Sequence, residues 1–451
     1  MNRTRRLSVL ATAAVSAWSV PAMAQDAGSA IAEELAAMRA EMARMAARID
    51  TLEAELAAAE AQADAAPAQA AAEPEPEGDA TTISWSGAPV IESESGWSFK
   101  PRGRLQIDAG AIDAPNGTGA ADGFGSEVRR ARLGVEGDVL GGFGYKFEVD
   151  FAANEVEVVD AIAIWGSGGL TISAGQHNTF QGLEELTSSR FISTMERAAF
   201  TDAFGFERRV GLSAQYAATS LLVQGGLFSD NLGDLSNRNW SADGRAVFMP
   251  KLGDTQLHLG GSLHYADYEA GHEVRYRQRP FVHFTDDRFI DTGDFAAASE
   301  FGAGLEAAAI AGPFHVVAEG FWQTADRSGA LADPTFFGGY AELGMFLTRG
   351  DTRGYKAGVF DRVKPAEPVG EGGFGAVQVN LRYDYLDLVD AGVIGGKQDG
   401  YAVSLVWTPT DYTRIVANYA RMQYRDAAVP AAGGDTSYGV DAFGVRAQID
   451  F

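Results

Sequence analysis

From Trp97 to the C-terminal Phe451 the chain repeats segments of about ten residues in which apolar and polar side chains alternate, a period of two that fits strands and not helices. Tyr145, Phe147, Val149 and Phe151 make one face of such a segment, and Lys146, Glu148 and Asp150 the other. Trp97 to Asp108 reads the same way. Val377, Val379, Leu381, Tyr383 and Tyr385 alternate with Gln378, Asn380, Arg382 and Asp384, and Tyr401, Val403, Leu405 and Trp407 form a further apolar face. Half-buried strands also occur in soluble antiparallel sheets. The number of these segments, their aromatic or proline ends, as in Trp407-Thr408-Pro409, and turn-prone Asn116-Gly117, Asp399-Gly400 and Gly395-Gly396 instead suit tilted strands crossing a membrane. The last segment alternates Phe443, Val445, Ala447, Ile449 and the terminal Phe451 with Gly444, Arg446, Gln448 and Asp450. Ending the chain in strand register is what closure against the first strand requires, because an open edge is not tolerated in lipid.

The expected fold class is therefore all-β, a transmembrane antiparallel β-barrel. At about 22 residues per strand with its connection, it would have about 16 strands, with 14 or 18 also compatible. No window supplies the roughly 18 charge-free apolar residues of a spanning helix. Glycine, at 54 residues, follows no collagen period and suits tight turns in a large sheet.

What precedes the barrel divides by composition. Residues 1–24 read as a signal peptide: Arg3, Arg5 and Arg6, then the apolar stretch from Leu7 to Val20, then Ala22-Met23-Ala24. In 25–62, Ile31, Leu35, Met38, Met42, Met45, Ile49, Leu52 and Leu56 are spaced alternately by four and three. That is an a/d seam of about 40 Å, expected to form a coiled-coil helix for oligomerisation, with an amphipathic helix lying on a membrane or on the barrel as the alternative. Residues 63–91 form an Ala/Pro/Glu-rich linker around Glu73-Pro74-Glu75-Pro76-Glu77, and 92–451 the barrel. This places the barrel in the bacterial outer membrane, with the coiled coil in the periplasm.

The chain has no cysteine, which removes thiolate chemistry, and a formal charge of -25 argues against nucleic acid as a partner. His177, His258, His264, His272, His283 and His315 give no ligand pair on a helical face, and neither a phosphate-cradling Gly-Lys-Ser loop nor a Gly-x-Ser-x-Gly elbow is present. The protein is expected to be neither an enzyme nor a binder of cofactor or metal.

Several blocks resemble the phosphate-selective porins of the bacterial O/P type. They run in order from Gly103-Arg104-Leu105-Gln106-Ile107-Asp108 and Glu127 to Gly137 through Tyr145 to Phe151, Gly175-Gln176, Glu184 to Ser189 and Met195-Glu196-Arg197-Ala198. Gly354-Tyr355, Gly358 to Pro365, Arg382 to Leu388 and the closing Phe443 to Phe451 follow. The resemblance spans nearly all of 97–451. It implies a 16-stranded homotrimer in outer-membrane lipid, a passive channel for small anions, phosphate among them.

The register supplies candidate pore-lining, anion-binding residues independently of that resemblance. Arg102 and Arg104 share the polar face of the first strand, Arg130 and Arg132 that of a second, and Lys146 that of a third; Arg382 and Arg446 stand on polar faces late in the chain. Arg275, Arg277 and Arg279 alternate in a long irregular region that is a candidate for a loop folded into the pore. Fixed positive charge in a low-dielectric channel concentrates anions, and the guanidinium fork matches phosphate oxygens. The alternatives are a weakly selective general porin, in which these cations pair with Glu136, Asp138, Glu148, Asp150, Asp384 and Asp450, and a barrel-anchored envelope tether acting through its coiled coil.

Overall fold

A computed structural model describes residues 43–45, 47, 48, 51, 54, 80–120, 122–152, 155–235, 238–327, 329 and 331–451, and the chain divides into two units, Met1–Gly78 and Asp79–Phe451. In the second unit a short hairpin, β1 (Thr81–Trp85) and β2 (Pro89–Ser93), leads into sixteen long strands. These are β3 (Ser98–Asp113), β4 (Gly123–Val139), β5 (Phe143–Asp150), β6 (Glu157–Ser167), β7 (Leu170–Asn178), β8 (Arg208–Ala217), β9 (Leu221–Phe228) and β10 (Trp240–Phe248). Then come β11 (Thr255–Asp267), β12 (Ser299–Ala311), β13 (Phe314–Asp326), β14 (Thr335–Phe346), β15 (Ala376–Asp390), β16 (Val393–Thr410), β17 (Thr413–Arg425) and β18 (Gly439–Asp450).

Each long strand pairs antiparallel with the next, and β18 pairs with β3 from Asp441↔Asp113 to Asp450↔Arg104, closing a 16-stranded barrel. The terminal Phe451 exchanges both backbone hydrogen bonds with Gly103, at 3.0 Å each, so the final residue completes the seam. The faces are distributed as a membrane barrel requires. Outward Leu105, Ile107, Leu405, Phe443 and Ile449 are exposed, while inward Gln106, Asp108, Asn380, Ser404 and Arg446 are buried.

Connections differ at the two ends. On the side of the chain termini they are mostly tight, as at 140–142, 168–169, 218–220, 312–313 and 411–412; opposite lie the long 114–122, 179–207 and 268–298. Short periplasmic turns and long extracellular loops orient the barrel accordingly. One long connection, 347–375, breaks the rule by starting on the short-turn side.

Two expectations are corrected. The expected turns Asp399-Gly400 and Gly395-Gly396 lie inside β16, whose hairpin turn is 391–392. These glycines make room for a loop: a Cβ would stand 2.8 Å from the Phe281 ring at Gly400 and 2.6 Å from Ile290 at Gly396. The N-terminal coiled coil expected over 25–62 is not found among the described residues. Within the second unit, the α-helices among the described residues are α1 (Leu183–Leu186) and α2 (Ala199–Ala203), of four and five residues. Of 25–62 only seven separate helical positions are described, and Met45, a seam residue, is 55% exposed. An isolated heptad helix has little stability of its own, because most of it comes from burying the seam. The other seam residues, with 1–24, lie outside the described residues.

Candidate functional site

The 179–207 loop, carrying α1 and α2, folds into the lumen and is fastened to the wall at many points. Glu319 of β13 accepts the backbone N–H groups of Leu183 (2.7 Å) and Glu184 (2.8 Å), satisfying donors that the short helix α1 leaves free. Glu184 in turn accepts the N–H of Ala198 at 2.8 Å, and Asp384 of β15 that of Ala199 at 3.2 Å, both beside the start of α2. From the last strands, Arg414 donates to the carbonyls of Arg190 (2.9 Å) and Ile192, Arg446 to that of Met195, and Ser404 to that of Ser193 at 2.7 Å. The 347–375 connection meets this loop from the other end, with Arg353 donating to the Phe191 carbonyl and Phe360 N–H to Thr187 Oγ1 at 3.2 Å.

Three cavities with shared walls run past the loop beside β3 to β8. An outer one of about 360 Å³ shares Glu185, Arg197 and Arg208 with a neck of about 160 Å³. The neck shares Arg102 and Arg190 with an inner cavity of about 350 Å³. Eight basic side chains line the neck, Arg102, Arg104, Arg130, Arg132, Lys146, Arg190, Arg197 and Arg208, against three carboxylates, Glu148, Asp160 and Glu185.

The carboxylates are too few to neutralise the neck. Asp160 is shared by Lys146 (2.5 Å) and Arg208 (2.8 Å). Glu148 lies 3.2 Å from Arg132, which also holds Asp150 at 2.7 Å, and 4.0 Å from Arg104. Arg102 pairs with Glu136, Arg190 with Asp450 at 3.3 Å, and Arg197 with Glu185 at 3.3 Å. Arg104 donates to Ser189 Oγ at 2.8 Å, leaving its buried Nε without a hydrogen-bond acceptor. Arg130, only 6% exposed, donates to Gln106 Oε1 at 2.9 Å and has no carboxylate within 4 Å among the described residues. Burial pushes the Glu185 carboxyl above the usual range. Burial also opposes ionisation of Glu196, yet Arg129 and Arg446 hold its carboxyl well below that range.

The sequence-derived residues thus fall into three groups. Arg102, Arg104, Arg130, Arg132 and Lys146 come together in the neck. Arg382 and Arg446 do not join them. Arg382 bridges Glu184 and Glu342 (2.7 Å) and lies over the Tyr340 ring, while Arg446 bridges Asp108 and Glu196 at 2.6 Å each. Of the arginine triplet, Arg279 lines the outer cavity, whereas Arg275, paired with Asp291 at 2.6 Å, and Arg277 face solvent. The neck is built by 179–207 and not by the 268–298 loop.

Arg129, Arg190, Arg197 and Arg208 were not singled out from sequence. Strict alternation turns Arg129 outward, but the register shifts where Gln106↔Arg130 is followed by Ile107↔Val128. This β-bulge lets Arg129 reach Glu196 at 3.0 Å and line the outer cavity. Arg190 and Arg197 sit in a loop with no period to indicate their direction. The only available signal was that Arg197 falls within one of the family-like blocks and Arg190 directly follows another.

Comparisons with known proteins agree with the architecture. A family model described as phosphate-selective porin O and P matches residues 99–451. An uncharacterized protein of Caulobacter vibrioides is 47% identical over 393 residues, covering 84% of this chain and 78% of the relative. Among solved structures, OmpT of Vibrio cholerae is 10% identical over 80% of this chain and 100% of its own, with a TM-score of 0.50. OmpF of Salmonella typhi, solved in complex with daunomycin, is 9% identical over 82% of this chain and 100% of its own, also at 0.50. At such identities the two structures support the fold alone.

Proposed function

Because the chain belongs to the phosphate-selective porin O and P family, matched over residues 99–451, we infer that it is a passive diffusion channel for small anions across the outer membrane, phosphate among them. It is a transport protein and not an enzyme. The observation that carries the reading of the site is the excess of positive charge in the neck: its eight basic side chains meet six carboxylates within 4 Å among the described residues, three of them in the neck wall and three behind it, and Arg130 meets none. In a narrow, protein-walled passage such an excess raises the local anion concentration and repels cations. Arg104 and Arg130 have donors not committed to a nearby carboxylate and are assigned to direct anion contact, with Arg102, Arg132 and Lys146 supplying the surrounding field. A chain of moderate sites from outer to inner cavity suits conduction, since an ion must leave as readily as it enters. The working unit is proposed to be a homotrimer, in keeping with the family resemblance, and chemical cross-linking in native membranes tests it.

A weakly selective general pore is the second reading, favoured by the outer cavity, where Arg129, Arg197, Arg208 and Arg279 meet Glu157, Glu185, Glu196, Asp202 and Glu207. Reversal potentials of the purified protein in planar bilayers, under salt gradients, separate the two. Strong anion preference with chloride current blocked by added phosphate is the expected result; a cation preference, or none, overturns the anion channel.

A further inference from the structure

A neck built for anions still holds carboxylates, and they are not equivalent. Asp160 is gripped from both sides by Lys146 and Arg208, and Glu148 lies between Arg132 and Arg104. Glu185 is paired with one cation, Arg197, at 3.3 Å from Oε2, while Arg208 and Arg130 act on it from farther off. Its Oε1 has no protein donor among the described residues, and the side chain lines both the outer cavity and the neck. Glu185 is thus one of the three residues, with Arg197 and Arg208, that the outer cavity and the neck have in common.

A carboxylate facing an anion that can only accept hydrogen bonds adds repulsion and leaves a lone pair unmatched. Facing an oxyanion that still carries a proton, it accepts an O–H hydrogen bond, a charge-assisted interaction of the stronger kind. Near neutral pH, phosphate, arsenate and phosphonates keep a proton, while sulfate, nitrate and chloride have none to give. We propose that Glu185 is a specificity-determining residue, its free oxygen accepting the O–H of a proton-bearing oxyanion while the neck arginines and the Ser188 and Ser189 region hold the remaining oxygens. The proposal rests on the reading of the neck as an anion path. It goes beyond a positive field, which by itself favours sulfate as much as phosphate. A site that matches a ligand hydroxyl disfavours the analogue lacking it because its own polar group is left unpaired.

The test uses the full-length channel and its Glu185→Gln and Glu185→Ala variants. The quantities measured are the phosphate and sulfate concentrations that halve the chloride current at pH 7.5. In the unmodified protein phosphate should act at about one tenth the concentration of sulfate, the worth of one such hydrogen bond in a site open to water. Both variants should bring the two concentrations close together, chiefly by strengthening sulfate, and Glu185→Asp should restore part of the difference. A loosened neck would raise conductance to all ions and would not move the ratio. If both variants strengthen phosphate and sulfate block by the same factor, Glu185 only lowers the local charge and the proposal is overturned. Absence of anion preference in the unmodified protein, visible from reversal potentials before any variant is made, would instead remove the underlying reading.

Discussion

Arg130 and Arg382 both stand on the inward face of a barrel strand, and both are nearly inaccessible to solvent, at 6% and 4% exposure. Around Arg382, Glu184 and Glu342 supply two carboxylates, Tyr340 a ring and α1 a cover, so the guanidinium is spent on holding a loop to the wall. Around Arg130 there is a neutral amide and a cavity. The same strand pattern therefore yields a filled half of the lumen, where Phe200, Phe321, Phe336, Tyr340 and Leu386 pack, and an open half with surplus charge. Strand register decides which way an arginine points. What the loops bring to it decides whether it meets a carboxylate or an ion.

Removing the cation from each side should break this contrast most visibly. Arg382→Ala strands Glu184 and Glu342 in a buried site and is expected to destabilise the barrel by about 3–5 kcal/mol, the usual result of breaking a buried pair from one side. Urea unfolding followed by heat-modifiable migration checks this; unchanged stability would show that Arg382 is not structural. Arg130→Gln should stay within about 1 kcal/mol of the unmodified stability, while weakening phosphate block by about tenfold through loss of a charged donor. Equal block in that variant would place the anion contact elsewhere.

Acidity sharpens the same comparison. Burial raises the Glu185 carboxyl, so it takes up its proton above the ordinary carboxylate range as pH falls. Neutralising it adds one positive charge to the balance of the neck, and anion preference should rise as pH falls, beginning above the ordinary carboxylate range. Reversal potentials at pH 7.5 and 5.5 give the slope, which Glu185→Gln should flatten. The smallest effect is expected at the rim. Arg275→Ala removes an exposed pair with Asp291 and should shift stability by less than about 1 kcal/mol, with ion preference unchanged.

Much of the barrel was legible because a period of two leaves a trace in every strand, and the closing Phe451 declares its own register. The five basic residues of β3, β4 and β5 were readable for the same reason. Where the period lapses, direction is lost: the bulge at Arg129 reverses parity by one residue, and the 179–207 loop has none. Gly395-Gly396 and Asp399-Gly400 inside β16 resembled turns because the purpose of their glycines, a close approach by the 268–298 loop, lies about a hundred residues away in sequence. The a/d seam of 25–62 shows the converse, since a heptad pattern states what a helix would need to bury and not whether a partner is present.

The fastening of the neck loop to the end of the chain has a consequence for biogenesis. Arg414 and Arg446 belong to the last two strands, yet they hold carbonyls between residues 190 and 195. Until β18 docks on β3, the loop lacks the tie from Arg446 and the sheet has an open edge. One event, the arrival of the C-terminal strand, therefore both seals the barrel against lipid and adds the last of the ties that seat its filter.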